Sequence, residues 1–352
     1  MRKPTNILCN AQWKKNKLNR QAREQKSRIS FALKTGHIEF SKKSYLLLIN
    51  PSEDIDTIFL KSDQISIIQN FYPVYKILLD KGFSVSPKST GNYKADICIV
   101  FLNRSKYATL NLIYEGLRQL KPRGLIIIDG LKKNGIENIR KEILKSFDNV
   151  NSLSKYHGKL IWFRKQPIKT NIEKWEFQSK TLNDGSITFH GTFASKATDP
   201  GSLLLSETIP KLTGTVADFG SGWGYLSKKI LSNHLISKID LIEANHDAVT
   251  ASKKNICDKR ANFFWDDVNT FNGGPYDTVI TNPPFHISRE TDPNLGINFI
   301  KKANFVLKPN GALWLVANKN LPYEETMLNC FKEVRRVVDQ DGYKVLLGLK
   351  PS

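Results

Sequence analysis

The chain of 352 residues has few cysteines and histidines, and these are widely scattered. No two of the four cysteines have the short spacing of a metal site or of a redox pair. The six histidines are equally dispersed. Isolated thiols are typical of a reducing compartment, so we expect no metal site and no disulfide. The four cysteines are Cys9, Cys98, Cys257 and Cys330.

Long apolar runs are also missing. No run approaches the ~20 residues that a membrane-spanning helix needs. Near the N-terminus the apolar segment 7–9 is too short for the core of a signal peptide. These absences predict a cytoplasmic protein with no membrane partner. The length allows two domains, each with its own core.

Acidic residues are scarce in the first half only. Up to residue 170, 32 Lys and Arg residues face 13 Asp and Glu residues, whereas after it 21 face 20. Such segregated basic charge predicts a polyanionic partner, and nucleic acid is favoured over an acidic membrane. Residues 1–43 are predicted to form a basic arm, since nine basic residues within the first 28 face only Glu24. It either orders on phosphate or remains a solvated tail.

The stretch Asn282-Pro283-Pro284-Phe285 follows the strand-like run 276–281. Two prolines fix φ and remove two backbone donors, and each keeps the preceding residue out of the helical region. The resulting stiff corner holds the amide oxygen of Asn282 and the carbonyl of Pro283 beside an aromatic ring. This grouping suits a planar NH2 group whose ring stacks on Phe285. A proline turn at the end of an edge strand is the structural alternative.

A glycine-rich turn lies upstream of this motif. Gly220, Gly222 and Gly224 follow a short apolar strand that contains Asp218, and Ser221 stands between the first two glycines. Glycine permits the tight turn and lets a ligand approach the backbone closely. Alone, this pattern is a weak signal.

Two further acidic positions strengthen it. Glu243 ends the next strand about twenty residues on, where an acid binds ribose hydroxyls. Asp266 and Asp267 end a third strand and are acceptors for an exocyclic adenine amine. The turn, the two acidic positions and the Asn-Pro-Pro-Phe motif occur in order on successive strand ends. Together they predict a site for a nucleoside-containing cofactor beside a site for an amine.

This set of motifs resembles the class I S-adenosylmethionine-dependent methyltransferases. The closer resemblance is to the guanine-N2 methyltransferases of bacterial ribosomal RNA (rRNA), namely the C-type enzyme that modifies small-subunit rRNA and its large-subunit sister. Ser221 and Trp223 depart from that pattern, because cysteine and a small residue are commoner there. The segments that look like further family motifs are 191–195, 199–205, 316–318, 321–323 and 343–345.

The resemblance implies S-adenosylmethionine as the cofactor. It places Asp218 and the glycine turn, with Ser221, around the methionine end, and Glu243 at the ribose. Asp267 is preferred to Asp266 at the adenine amine. Four residues are assigned to catalysis, and the first of them also borders the cofactor. The catalytic set is Asn282, Pro283, Pro284 and Phe285.

The two halves share a pattern that predicts a duplicated domain. Segments 95–128 and 276–315 both read as a strand, a helix, a Lys-Pro-x-Gly turn and another strand. Strands that alternate with helices favour parallel sheets. We therefore predict an α/β fold of two tandem Rossmann-like methyltransferase domains, each a mostly parallel seven-stranded sheet with helices on both faces.

The first copy is predicted to be degenerate. Residues 50–54 replace its glycine turn and residues 102–105 replace its Asn-Pro-Pro-Phe motif. Residues 44–165 are predicted to hold RNA or to act as a scaffold, 166–200 to be linker and lead-in, and 201–352 to be catalytic.

The resulting prediction is methylation of a guanine N2 amine in small-subunit (16S) rRNA by a monomer that binds rRNA or the small ribosomal subunit. A large-subunit guanine-N2 enzyme and a nucleic-acid adenine-N6 enzyme remain alternatives. A glutamine-N5 protein methyltransferase is disfavoured by the basic first half. A non-catalytic RNA-binding assembly factor is disfavoured by the intact motifs.

Overall fold

A computed structural model divides the chain into two units, and the second unit comprises residues 178–352 with the short segment 71–73. The structure describes residues 28–55, 64–89, 91, 93–103, 105–167, 171–176, 178–284, 286–287, 290–291 and 294–352.

The first unit is built around a seven-stranded sheet of order β3-β2-β1-β4-β5-β7-β6. All neighbours are parallel except β7, which is antiparallel to β5 and β6. Short 3-10 turns occupy Lys132–Asn134 and Glu173–Trp175. The strands are β1 (Tyr45–Ile49), β2 (Gln64–Ile68), β3 (Ser84–Ser86), β4 (Ala95–Phe101), β5 (Leu120–Leu131), β6 (Asn151–Lys155) and β7 (Gly158–Arg164). The helices are α1 (28–34), α2 (Tyr72–Asp80), α3 (Lys106–Gln119) and α4 (Ile136–Ser146).

The second unit repeats this plan in the order β12-β11-β10-β13-β16-β18-β17, again with only β18 antiparallel to its neighbours. Two small two-stranded sheets, β8–β9 and β14–β15, are added. The strands are β8 (Ser179–Thr181), β9 (Ile187–Phe189), β10 (Gly214–Phe219), β11 (Ile236–Glu243), β12 (Ala261–Trp265), β13 (Tyr276–Thr281), β14 (His286–Ile287), β15 (Glu290–Thr291), β16 (Leu307–Asn318), β17 (Glu333–Gln340) and β18 (Tyr343–Leu349). The helices are α5 (Pro200–Thr208), α6 (Tyr225–Ile230), α7 (His246–Asn255), α8 (Asn294–Val306) and α9 (Tyr323–Cys330).

Each sheet is covered on both faces. Alternate residues of β1 enter different apolar clusters: Leu47 and Ile49 pack with α3 and α4, whereas Leu46 and Leu48 pack with α1 and α2. Strands buried on both sides carry continuous apolar runs, which explains why β1 reads Tyr-Leu-Leu-Leu-Ile. The predicted fold of two tandem seven-stranded α/β domains is therefore confirmed.

The shared Lys-Pro-x-Gly turn forms the same brace in both units. Lys121 Nζ contacts Asp96 Oδ1 at 2.6 Å, and Lys308 Nζ contacts Asp277 Oδ2 at 2.8 Å. Each carboxylate also accepts a backbone N–H from the neighbouring strand at 2.8 Å, that of Tyr45 on β1 for Asp96 and that of Thr215 on β10 for Asp277. The duplicated sequence is thus explained by a duplicated structural contact.

The predicted arm 1–43 is wrong from residue 28 onward, while residues 1–27 lie outside the described part of the chain. Ile29, Ala32 and Ile38 are buried in the core of the first unit. Arg28 is fully buried, and its Nε and Nη2 donate to Asp129 Oδ1 at 2.5 Å and Oδ2 at 3.1 Å. The guanidinium counted as an RNA-binding charge is therefore a paired core residue.

The segment 166–200, predicted as linker and lead-in, carries ordered structure where it is described. Trp175 is buried in the core of the first unit. The β8–β9 hairpin belongs to the second unit, and Phe189 packs in one of its cores.

Two negative findings apply to the described ranges. No helix among them is long and apolar enough to cross a membrane. Nor do these residues include a group of three or more His, Cys, Asp or Glu side chains that could hold a metal ion.

Candidate active site

Four neighbouring strands bring the predicted motifs to one edge of the second sheet. Strands β12, β11, β10 and β13 are adjacent and parallel, so their carboxyl ends lie together. Ligands of open α/β sheets bind at this edge. The glycine turn, Glu243, the Asp266–Asp267 pair and Asn282 each directly follow or end one of these strands.

The three glycines of the turn all have positive φ, at 73°, 56° and 89° for Gly220, Gly222 and Gly224. Their surroundings differ. A Cβ on Gly222 would meet no atom within 4 Å, whereas one on Gly224 would lie 2.8 Å from Ile256 Cδ1 and 3.1 Å from Ser252 Cβ. Gly222 therefore faces open space, while Gly224 allows the start of α6 to pack against α7.

Two buried polar atoms beside this turn have no partner in the described structure. They are Asp218 Oδ1 and Ser221 Oγ. Ser227 Oγ donates to the other carboxylate oxygen of Asp218 at 2.6 Å. Burial raises the pKa of Asp218 to about 7. Because unpaired buried polar atoms are costly, these two atoms fit a bound ligand that carries hydrogen-bond donors.

The carboxylate of Glu243 is held in place by two backbone N–H groups. Its Oε2 accepts the N–H of Gly222 at 2.9 Å, and its Oε1 accepts the N–H of Asn245 at 2.7 Å. Burial raises the pKa of Glu243. A carboxylate oxygen has more than one acceptor site, so both oxygens retain capacity for hydroxyl donors such as a ribose diol.

The two acids after β12 have different neighbours. Asp267 Oδ1 accepts the backbone N–H and the side-chain amide of Asn269, at 2.9 Å and 2.8 Å. Asp266 Oδ1 accepts the N–H of Asp267 at 2.7 Å, and burial raises the pKa of Asp266. Asp267 therefore organises its own turn in addition to the adenine contact predicted for it.

Asn282 is held through its amide nitrogen. Nδ2 donates to Asp199 Oδ2 at 2.8 Å and to Ser202 Oγ at 2.9 Å. Both hydrogens of the amide are thereby used, and among the described residues Oδ1 is left as the free acceptor end. Pro283 is buried and Pro284 is exposed. The predicted stacking residue Phe285 lies outside the described residues.

An open cleft joins the glycine turn to Asn282. Of the predicted site residues, Gly220, Ser221, Gly222 and Asn282 line it directly. Glu243 is linked to it through Gly222. The predicted residues that do not line it are Asp218, Gly224, Glu243, Asp266, Asp267, Pro283 and Pro284.

Several residues of the cleft lie in segments 191–195 and 199–205, which resemble family motifs in the sequence but were not assigned to the site. Asp199 and Ser202 come from the N-terminal turn of α5, and Phe193, 59% exposed, lies at the rim. Asp199 followed by Pro200 is a recognisable helix start, because Asp is a favoured cap and Pro a favoured first residue. That signal predicts a helix but not a contact with Asn282.

Comparison with known proteins identifies the family. The methyltransferase small domain matches residues 186–347. The ribosomal RNA small subunit methyltransferase C of Shewanella piezotolerans is 29% identical over 270 residues, 72% of this chain and 77% of that protein. The protein of the same name from Psychromonas ingrahamii is 30% identical over 290 residues, 78% of this chain and 83% of its own. The chain belongs to the family of ribosomal RNA small subunit methyltransferases C.

The fold agrees with a solved relative. A T. thermophilus 16S rRNA guanine-N2 methyltransferase, in complex with AdoMet and guanosine, superposes with a TM-score of 0.71. The match covers 88% of each chain at 19% identity, so it bears on the fold. Membership of the C-type family confirms the predicted enzyme class, an S-adenosylmethionine-dependent methyltransferase.

Proposed function

We propose that this C-type family member transfers a methyl group from S-adenosylmethionine to the exocyclic N2 amine of a guanine in 16S rRNA. The observation that carries the proposal is the orientation of Asn282, whose amide hydrogens are both occupied by Asp199 and Ser202. Its Oδ1 is then an acceptor at the edge of the cleft that the glycine turn also lines. The names of the relatives support the same substrate.

The residues that line the cleft, together with Asp218 and Glu243 beside the glycine turn, fit the cofactor. Asp218 Oδ1 and Ser221 Oγ are buried acceptors without partners for the ammonium of its methionine end. Gly222 leaves open space for close approach, and Glu243 presents two oxygens for the ribose hydroxyls. When bound, S-adenosylmethionine supplies an electrophilic methyl group on a sulfonium.

Asn282 and the carbonyl of Pro283 then act on the target amine. The lone pair of a guanine N2 is delocalised into the ring, so the amine is a poor nucleophile. Two acceptors that hold its two hydrogens direct the lone pair as it becomes localised, and they stabilise the positive charge that develops on nitrogen. The cationic product loses its proton to water, and a strong general base is unnecessary. Phe285 is proposed to stack on the base, which must be unpaired to enter the site.

The first unit is proposed to hold RNA without binding a cofactor. The positions that correspond to the cofactor loop are occupied by internal contacts: Asn50 Nδ2 donates to the carbonyl of Phe101 at 3.1 Å, and Gln69 Nε2 donates to that of Pro51 at 2.8 Å. Nearly all of the net positive charge of the chain lies up to residue 170. Phosphate contacts need such charge. We also propose that the protein acts as a monomer in the cytoplasm.

The test uses the purified full-length chain, S-adenosylmethionine, and ribosomal subunits from cells that lack this gene. Small subunits, large subunits and protein-free 16S rRNA are incubated separately, and the RNA is digested for nucleoside mass spectrometry. We expect new N2-methylguanosine in small-subunit RNA and none in large-subunit RNA. N6-methyladenosine would favour the adenine-N6 alternative. Cofactor binding without any product would favour the assembly-factor alternative.

A further inference from the structure

The amide of Asn282 is fixed by two side chains that lie about eighty residues away in the sequence. Its Nδ2 donates to Asp199 Oδ2 and to Ser202 Oγ, both on the first turn of α5. An ionised carboxylate is only an acceptor, so Asp199 dictates which end of the amide faces it. A neutral side chain that both donates and accepts could hold the amide of Asn282 in either orientation. After a flip of 180°, Nδ2 and its hydrogens would face the cleft in place of Oδ1.

The position of Asp199 is set independently of Asn282. Asp199 is the N-cap of α5 and accepts the backbone N–H of Ser202 at 2.8 Å. The next residue but one is Gly201, and a Cβ there would lie 2.9 Å from the ring of Tyr343. Because this glycine has no side chain, the ring of Tyr343 on β18 packs directly against the helix start. The cap carboxylate is thus anchored to the sheet before it contacts Asn282.

We propose that Asp199 is a positioning residue for methyl transfer: with Ser202 it holds the Asn282 amide so that Oδ1 faces the target amine. A negative charge on the nitrogen side also polarises the amide and makes Oδ1 a stronger acceptor for the cationic transition state. The inference rests on the proposed function, because it assigns Asp199 an effect on the amine that Asn282 holds.

A purely structural role for Asp199 is the competing explanation, since Asp is a favoured helix cap. The two roles separate by the length of the side chain. Serine is also a favoured cap, so Asp199→Ser keeps an acceptor for the helix but shortens the reach toward Asn282. Asp199→Asn keeps the reach but loses the charge and gains a donor. Ser105 caps α3 in the first unit, and Ser105→Ala is the matched control for loss of a cap alone.

The experiment measures single-turnover methylation of small subunits from cells that lack this gene, at saturating S-adenosylmethionine, together with cofactor affinity and thermal stability. We expect Asp199→Ser to slow methyl transfer about 100-fold, because misplacing a catalytic group by about 1 Å has that effect. Asp199→Asn should transfer the methyl group more slowly than the wild type. Ser202→Ala should reduce the rate less than Asp199→Ser does, because the contact of Asn282 with Asp199 remains. Cofactor affinity should not change. Ser105→Ala should keep the wild-type rate when the small subunits are also saturating, since the first unit is proposed only to hold RNA.

A double-mutant cycle distinguishes a role through Asn282 from any independent role. Asn282→Ala alone should slow transfer about 10²–10³-fold. Adding Asp199→Ser should slow it no further, since residues that act as one unit are not additive. Multiplicative losses, or a wild-type rate for Asp199→Ser beside an inactive Asn282→Ala, would overturn the inference and leave the proposed function standing. A wild-type rate for Asn282→Ala would overturn both.

Discussion

The turn between β10 and α6 gives a sharp prediction about cofactor binding. Gly222 and Gly185 both have positive φ, at 56° and 78°, and a Cβ on either would meet no protein atom within 4 Å. Alanine should therefore impose a similar backbone strain at both positions, about 1–2 kcal/mol in the left-handed region. Of these two glycines, Gly222 lines the cleft and Gly185 does not.

We expect Gly222→Ala to weaken S-adenosylmethionine binding about 5- to 150-fold. Its methyl group would compete with the ligand for the space beside the turn, and overpacking costs about 1–3 kcal/mol. Gly185→Ala should lose similar stability and bind the cofactor normally. A third variant, Gly224→Ala, should lose more stability than either, because its Cβ would press on Ile256 and Ser252.

Isothermal titration calorimetry gives the affinity, and chemical denaturation without cofactor gives the free energy of unfolding. If Gly222→Ala bound the cofactor as tightly as Gly185→Ala, the turn would not contact the ligand at that position. The assignment of the cleft as the cofactor site would then be refuted.

Further predictions concern catalysis, pH, stoichiometry and the N-terminal segment. Asn282→Ala should abolish most methyl transfer, by about 10²–10³-fold, while calorimetry shows near wild-type cofactor affinity. Asp218 has a folded pKa of about 7 against 3.8 when exposed, so the wild type without cofactor should lose stability as pH rises from about 4 to about 7. Asp218→Asn should lose less stability over this range, although Asp129 and Glu243, whose pKa values burial also raises, keep their contributions. It should be the more stable protein at pH 8, by at most on the order of 4 kcal/mol in denaturation experiments. Calorimetry should return one cofactor site per chain, and two equivalent sites would contradict the degenerate first copy. A chain that begins at Arg28 should fold and bind cofactor but bind RNA more weakly, with a shallower dependence on salt. A chain that begins at Lys42 should be strongly destabilised, because Asp129 would be buried without its partner. An unchanged salt slope for the first truncation would mean that residues 1–27 make no phosphate contacts.

The sequence predicts much of the second unit because its motifs sit at the ends of strands. Carboxyl ends of adjacent parallel strands converge, so the order of the motifs along the chain also predicts their proximity. The contact of Asn282 with Asp199 was not predictable in this way. The two are 83 residues apart. The local signals at Asp199 are a helix cap and a family-motif segment, and neither indicates a contact with Asn282.

Arg28 shows a second limit of local reasoning. A basic residue that ends a basic stretch is usually solvated, and its burial depends on Asp129, 101 residues away. Nothing near Arg28 indicates that partner. The short apolar pattern of Ile29 and Ala32 was the available signal, and it points to a helix that packs on the sheet.

The duplication separates residues that maintain the fold from residues that bind ligand. The Lys–Asp brace is present in both units. Lys165 and Lys350 also occupy corresponding positions. Each donates its backbone N–H to the carbonyl of the glycine in the Lys-Pro-x-Gly turn of its unit. The ammonium of each donates to the carbonyl of the first residue of the strand that contains this turn, Leu120 of β5 or Leu307 of β16. The glycine turn and the Asn-Pro-Pro-Phe motif occur only in the second half. Fold contacts were therefore retained in both copies while the ligand residues stayed in one.

The most direct test of the proposed function is nucleoside mass spectrometry of 16S rRNA from cells that lack this gene. We predict the loss of one N2-methylguanosine, which returns when the wild-type chain is expressed and does not return with Asn282→Ala. A 16S rRNA with its full content of N2-methylguanosine in cells without the gene would contradict the proposal.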